Sequence, residues 1–183
     1  MRETADLWAY EREAREQGYI AVCGVDEAGA GPLMGPVYAA AVILPEDYDL
    51  PELNDSKKLT EKKREMLFPL IKERAIAWSV AWVEASEIDA TDILSARMKA
   101  MQMAIDGLSV TSDMALIDGN RDKGHSAAIS TAHRCIVGGD GKSASIAAAS
   151  VLAKVSRDHY VTEVLDKAYP QYQFAKHKGY GTK

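Results

Sequence analysis

The sequence predicts an α/β domain in which a mixed β-sheet is covered by helices on both faces. Three β-rich runs follow one another early in the chain, and two more come later and apart. Amphipathic helical segments lie between and after them, and a chain of 183 residues is one domain's worth. Consecutive early strands favour antiparallel pairing and separated later ones favour parallel pairing, so the sheet is mixed.

Residues 1–17 are charged, have helical potential and end at Gly18. Runs 19–25 and 36–44 read as the first two strands, joined by a glycine-dense loop. After Pro45 and a polar loop, Thr60 offers an N-cap to a helix with Met66, Leu67, Leu70 and Ile71 on one face and a kink or break at Pro69. In run 76–83, Ile76, Trp78, Val80 and Trp82 alternate with Ala77, Ser79, Ala81 and Val83, the period of a third strand. Ser86 can cap one long helix in which Leu94, Met98, Met101, Ile105 and Leu108 recur, ending near Gly107. Short apolar runs 114–117 and 133–137 lead to Asp118 and towards Asp140, and an Ala-rich helix capped by Ser143 runs to about residue 167. The seven methionines read as core filler.

With 47% apolar and 27% charged residues, the chain can bury a full core and is too apolar to be disordered. No apolar run approaches the roughly 20 residues that span a bilayer. The first 16 residues are charged and polar where a signal peptide would be apolar. These features predict a cytoplasmic protein without a membrane partner. A formal charge of −5 argues against a protein that coats nucleic acid by bulk charge, but leaves room for local basic patches. Cys23 and Cys135 each fall in a strand-like run and read as buried, reduced thiols, with no Cys/His spacing that suits zinc.

The chemistry gathers where the apolar runs end. Val22 to Val25 lead into Asp26 and Glu27, Leu116 and Ile117 into Asp118, and Ile136 and Val137 through two glycines into Asp140. A single Asp after a strand is commonly a turn former. If these three strands are neighbours, four carboxylates converge on one edge, where they either protonate or hold a cation. Oxygen donors without His or Cys suit Mg²⁺ or Mn²⁺. The reaction such a pair of ions serves is attack of water on a phosphodiester.

The loop Gly29-Ala30-Gly31-Pro32-Leu33-Met34-Gly35-Pro36 departs from a dinucleotide fingerprint, with Met34 in the third glycine's place and a strand following. Close backbone approach to a phosphate or sugar suits it better. Gly141-Lys142-Ser143 imitates the end of a P-loop, but the motif's first glycine would fall on Ile136. Lys57, Lys58, Lys62, Lys63 and Arg64 form one basic cluster, and after Asp166 come four lysines and no acid. Beside an acidic metal-binding edge these are candidates to hold phosphates, with Tyr180 as a stacking platform.

Taken in order, Gly24-Val25-Asp26-Glu27-Ala28-Gly29, Gly31-Pro32-Leu33, Gly35-Pro36-Val37, Asn54-Asp55-Ser56-Lys57-Lys58-Leu59, Leu116-Ile117-Asp118-Gly119-Asn120, Gly139-Asp140, Ala148-Ala149-Ser150, Ala153-Lys154-Val155, Arg157-Asp158 and His177-Lys178-Gly179-Tyr180-Gly181-Thr182 resemble the ribonuclease HII family. The resemblance runs from about residue 20 to the end. It implies a ribonuclease H-like fold, a five-stranded mixed sheet of order 3-2-1-4-5 flanked by helices, with residues 1–183 as a single catalytic domain and a monomer. Strands one and five would then lie roughly 9 to 10 Å apart, too far for a disulfide between the cysteines.

The resemblance also implies a metal-dependent endonuclease that cuts the RNA strand of RNA/DNA hybrids and the 5′ side of single ribonucleotides in duplex DNA. The products would carry 3′-hydroxyl and 5′-phosphate ends. Asp26, Glu27, Asp118 and Asp140 would hold two divalent cations, Mg²⁺ or Mn²⁺. Gly29, Ala30 and Gly31 would read the ribose 2′-hydroxyl, Tyr180 would stack on the next sugar, and Lys57, Lys58 and Asn120 would complete the substrate contacts. Three departures stand out. Ala30 replaces the family's Arg, Gly138 replaces a usual Lys, and the sequence stops at Lys183 where the family adds a helical segment. Loss of two cations predicts weaker substrate binding and less compensated carboxylates. The competing readings are a weakened relative that binds hybrids or junctions without efficient cleavage, and another nuclease or resolvase of the same fold.

Overall fold

Five strands form one mixed sheet in the order β3-β2-β1-β4-β5. The computed structural model describes residues 6–32, 34–46, 48–49, 53 and 59–181. The strands are β1 (Val22–Ala28), β2 (Val37–Ile43), β3 (Ala77–Val83), β4 (Met114–Asp118) and β5 (His133–Ile136). The principal helices are α1 (Ala9–Glu16), α2 (Glu61–Arg74), α3 (Ala85–Ala90), α4 (Ile93–Asp106) and α5 (Ala144–Tyr160). β1 pairs antiparallel with β2 and parallel with β4, β2 antiparallel with β3, and β4 parallel with β5. The parallel half therefore brings the C-terminal ends of β1, β4 and β5 to one edge.

The two-residue period of the strands builds two core layers. β2 turns Val37, Ala39, Ala41 and Ile43 towards Met98, Met101 and Ile105 of α4. Its Ala40 and Val42 face Leu67 and Ile71 of α2 and Leu152 and Val155 of α5. A smaller cluster packs Val22, Leu116 and Ile136 against Ala14 of α1 and Ile146 of α5. Two of the three expected caps are present: Thr60 Oγ1 accepts from the Lys63 amide at 3.3 Å, and Ser143 Oγ from the Ile146 amide at 3.2 Å, whereas Ser86 lies inside α3, whose N-cap is Glu84. Among the described residues no helix is long and apolar enough to cross a membrane.

Several sequence expectations are corrected. β1 starts at Val22 and continues through the two acids to Ala28, because β2 goes on pairing with it: Asp26 opposite Ala40, Glu27 opposite Ala39. α2 runs unbroken through Pro69; Pro69 and Glu65, whose carbonyl loses a donor, are both exposed, so water can serve the orphaned group. The single helix expected from Ser86 is two, because the Asp92 carboxylate accepts from the Ser95 amide at 2.8 Å and hydroxyl at 2.6 Å and starts α4 afresh. On β3, an edge strand, Ala77, Ala81 and Val83 are buried while Trp78 and Trp82 are exposed, as is Ile76 just before it. Val137 falls outside β5, and Met34, Met66 and Met103 are exposed rather than core. Cys23 is wholly buried, its thiol pushed up to about 12 by burial; Cys135 is only partly buried, and both are free.

Candidate active site

Asp26 and Glu27 are consecutive strand residues, so they leave β1 on opposite faces. Asp26 points towards α5, where Ser150 donates to its carboxylate, and its Oδ1 also accepts the Glu27 amide at 2.7 Å. Glu27 points towards α4, where Arg97 Nη2 lies 2.6 Å from Oε1. The last paired register of β1 with β4 joins Val25 to Ile117. One residue on, Asp26 comes beside Asp118. Asp140 sits in the short 3₁₀ turn Gly139–Gly141 after β5, and its amide donates to Asp118 Oδ1 at 3.3 Å. The two acids of β1, Asp118 and Asp140 thus occupy one edge of the parallel half.

Burial dominates the electrostatics. Asp26 is 7% exposed, and desolvation, then the charges of Glu27 and Asp118, hold its carboxyl well above the usual range. Glu27 is also raised, chiefly by desolvation, with Arg97 pulling it down and Asp118 pushing it up. Arg97 thus sets a cation against the acidic edge from α4. Nothing in a single sequence marks it; it sits beside the core residues Ala96 and Met98 on α4, and only the packing of α4 beside β1 brings it to Glu27.

Among the described residues, no three acidic, histidine or cysteine side chains are already drawn into one chelating cluster. The donor set nonetheless fits hard divalent cations. It comprises carboxylates without softer ligands, two of them desolvated and both in the field of Asp118, and Glu27 Oε2 is buried with no hydrogen bond inside the protein.

The glycine loop and the tyrosine motif also meet. Arg157 of α5 is 1% exposed; its Nη1 donates to the Lys178 carbonyl at 2.9 Å and its Nη2 to the Met34 carbonyl at 3.0 Å. Its guanidinium lies 5.8 Å from the Tyr180 ring centroid. Gly29 has φ +98°, and a Cβ there would overlap Arg157 and lie 2.7 Å from the Pro36 carbonyl oxygen, so this turn accepts only glycine. A Cβ on Gly31 would lie 3.7 Å from Tyr180 Cε1, which places the exposed end of the loop beside the half-exposed tyrosine. Ala30 is partly buried within the same loop.

Other expected contacts are less concentrated. Asn120 is exposed in the turn after β4. Lys57 and Lys58 lie outside the described residues. Lys178 is not available to a phosphate as placed, because its Nζ donates to Thr162 Oγ1 at 2.7 Å. Lys142 Nζ donates to the carbonyl of Val137 at 2.8 Å, the residue just before Gly138, where the lysine is lacking.

A mixed sheet of this order, with acids at the ends of its adjacent parallel strands, defines a nuclease of the ribonuclease H-like fold. The solved ribonuclease H2 of Pyrococcus horikoshii OT3 superposes with a TM-score of 0.68 at 25% identity, covering 90% of this chain and 82% of that one. Bst-RNase HIII, solved in complex with Mn²⁺, shares the fold with a TM-score of 0.66 at 20% identity, covering 93% of this chain and 62% of its own. In sequence, the family model for ribonuclease HII matches residues 23–183. The ribonuclease HII of Endomicrobium trichonymphae is 52% identical over 179 residues, 98% of this chain and 83% of that protein. The chain belongs to the ribonuclease HII family and is an enzyme of that class, a ribonuclease H.

Proposed function

We propose that this chain hydrolyses the RNA strand of RNA/DNA hybrids and incises duplex DNA on the 5′ side of single embedded ribonucleotides, leaving 3′-hydroxyl and 5′-phosphate ends. The observation that carries the reading is the acidic edge, where Asp26 is buried and Glu27 largely so, Asp118 acts on both, and the Asp140 amide is bonded to Asp118. Buried like charges are costly to keep unless a cation uses them. Asp26, Glu27, Asp118 and Asp140 would hold two Mg²⁺ or Mn²⁺ ions. Bound there, the ions would supply an activated water and neutralise charge on the leaving 3′ oxygen.

The remaining work falls to the chain itself. The backbone of Gly29 to Gly31 would meet the ribose, the one group that separates RNA from DNA at this point. Tyr180, 46% exposed beside Gly31, would stack on the following sugar. Arg157 is a positioning residue, tying the glycine loop to the tyrosine motif through two carbonyls. Lys57, Lys58 and Asn120 would steady the phosphates and the strand beside the cut. We read residues 1–183 as one catalytic domain acting as a monomer in the cytoplasm.

Three duplexes of equal sequence test the reading with Mg²⁺ or Mn²⁺: RNA/DNA hybrid, DNA with one ribonucleotide, and all-DNA. The expected result is cleavage of the first, a single cut 5′ to the ribonucleotide in the second, and none in the third. Cleavage of all-DNA duplex, or preference for a four-way junction, would overturn it.

A further inference from the structure

Arg97 stands at an unusual place for a cation. It lies between Ala96 and Met98, both buried, on the helix that covers one face of the sheet. Its Nη2 reaches Glu27 Oε1 at 2.6 Å, with the two side chains 25% and 12% exposed. The pair is incomplete, since Arg97 Nε and Glu27 Oε2 are both buried without a hydrogen bond inside the protein. A desolvated ion pair stabilises a fold well only when its remaining donors and lone pairs are also satisfied. This pair holds its acid by one contact and leaves the other carboxylate oxygen for a further ligand.

We propose that Arg97 is a built-in counter-cation of the acidic edge, holding Glu27 in the ion-free protein and competing with a divalent cation for it. The proposal deepens the ion-binding reading above and rests on it. Arg97 stabilises the ion-free state by offsetting repulsion among Asp26, Glu27 and Asp118. For the same reason it weakens ion binding, because a positive charge bonded to a ligand opposes the arrival of another. The cation that the loop lacks at Ala30 and the turn lacks at Gly138 is thus partly supplied from α4, at the cost of ion affinity.

The test is Mn²⁺ titration of the whole protein without nucleic acid, read as free Mn²⁺ by electron paramagnetic resonance and as a shift in melting temperature. Arg97→Met is expected to melt lower without ions yet bind Mn²⁺ roughly tenfold more tightly, the effect of removing one close charge. Arg97→Lys, which keeps the charge, is expected to bind closer to wild type. Loss of packing alone would not tighten binding. If Arg97→Met does not fold, Arg97→Gln is read in its place. Affinity unchanged or weakened in the neutral variant, with wild-type binding abolished by Asp26→Asn, would overturn the proposal alone. Binding that survives Asp26→Asn, or no binding in wild type and the neutral variant alike, would overturn the ion-site reading and the proposal together.

Discussion

Glu11 and Asp26 are both buried acids, 1% and 7% exposed, and they are treated in opposite ways. Glu11 of α1 meets the start of α5, where its Oε1 accepts from the Ser143 hydroxyl at 2.5 Å, the Ser145 hydroxyl at 2.6 Å and the Ser145 amide at 3.0 Å. A carboxylate at the N-terminus of a 17-residue helix also meets the positive end of its dipole. Asp26 instead faces Glu27 and Asp118, which oppose its ionisation on top of burial. The first acid joins α1 to α5 and serves the fold. The second is kept where it strains the ion-free protein, which is how a site looks when its charge is meant for a ligand.

Removing either acid should separate these roles. Glu11→Ala removes the acceptor of the buried Ser145 amide and of two hydroxyls that keep only each other, 3.2 Å apart, so at about 1 to 3 kcal/mol for an unsatisfied group an overall loss of about 3 kcal/mol is expected in urea unfolding. Incision per folded molecule should be unchanged. Asp26→Asn is expected to move stability the other way, raising ion-free unfolding free energy by about 1 kcal/mol by removing one buried charge from the cluster. The same variant should lose the melting shift caused by Mn²⁺. A stability loss in Asp26→Asn would put the two acids in the same structural class and break the contrast.

A smaller effect bears on the missing cation. Gly138 has φ 65° and ψ 36°, the left-handed region, where a residue with a Cβ is strained by about 1 kcal/mol. Gly138→Lys should therefore lower stability by about that amount in thermal unfolding while tightening substrate, seen as a lower KM on ribonucleotide-containing duplex. An unchanged KM would show that Arg97 and Lys142 already supply the needed charge.

Much of this was legible in the sequence, for identifiable reasons. Strand runs and helix caps depend on neighbours a few residues away, so the succession of strands along the chain and the caps at Thr60 and Ser143 could be read directly, while their order in the sheet followed from the family resemblance. The end of β1 could not, because its extension through Asp26 and Glu27 is set by pairing with Ala39 and Ala40 of β2. The helix break at Asp92 was hidden by an apolar period that continues across it. The four acids could be named because each follows an apolar run, but Arg97, Arg157 and Glu11 act across 70, 123 and 132 residues of sequence respectively, and only packing reveals them.

The acids at the ends of β1, β4 and β5 are proposed to carry the chemistry. Single-turnover incision of duplex DNA bearing one ribonucleotide, with Mg²⁺, compares wild type with Asp118→Asn most directly. Wild type should cut 5′ to the ribonucleotide and the variant at a rate at least about 100-fold lower, since charge stabilisation by such ions is worth several kcal/mol. Equal rates in the two proteins, with both folded, would contradict it.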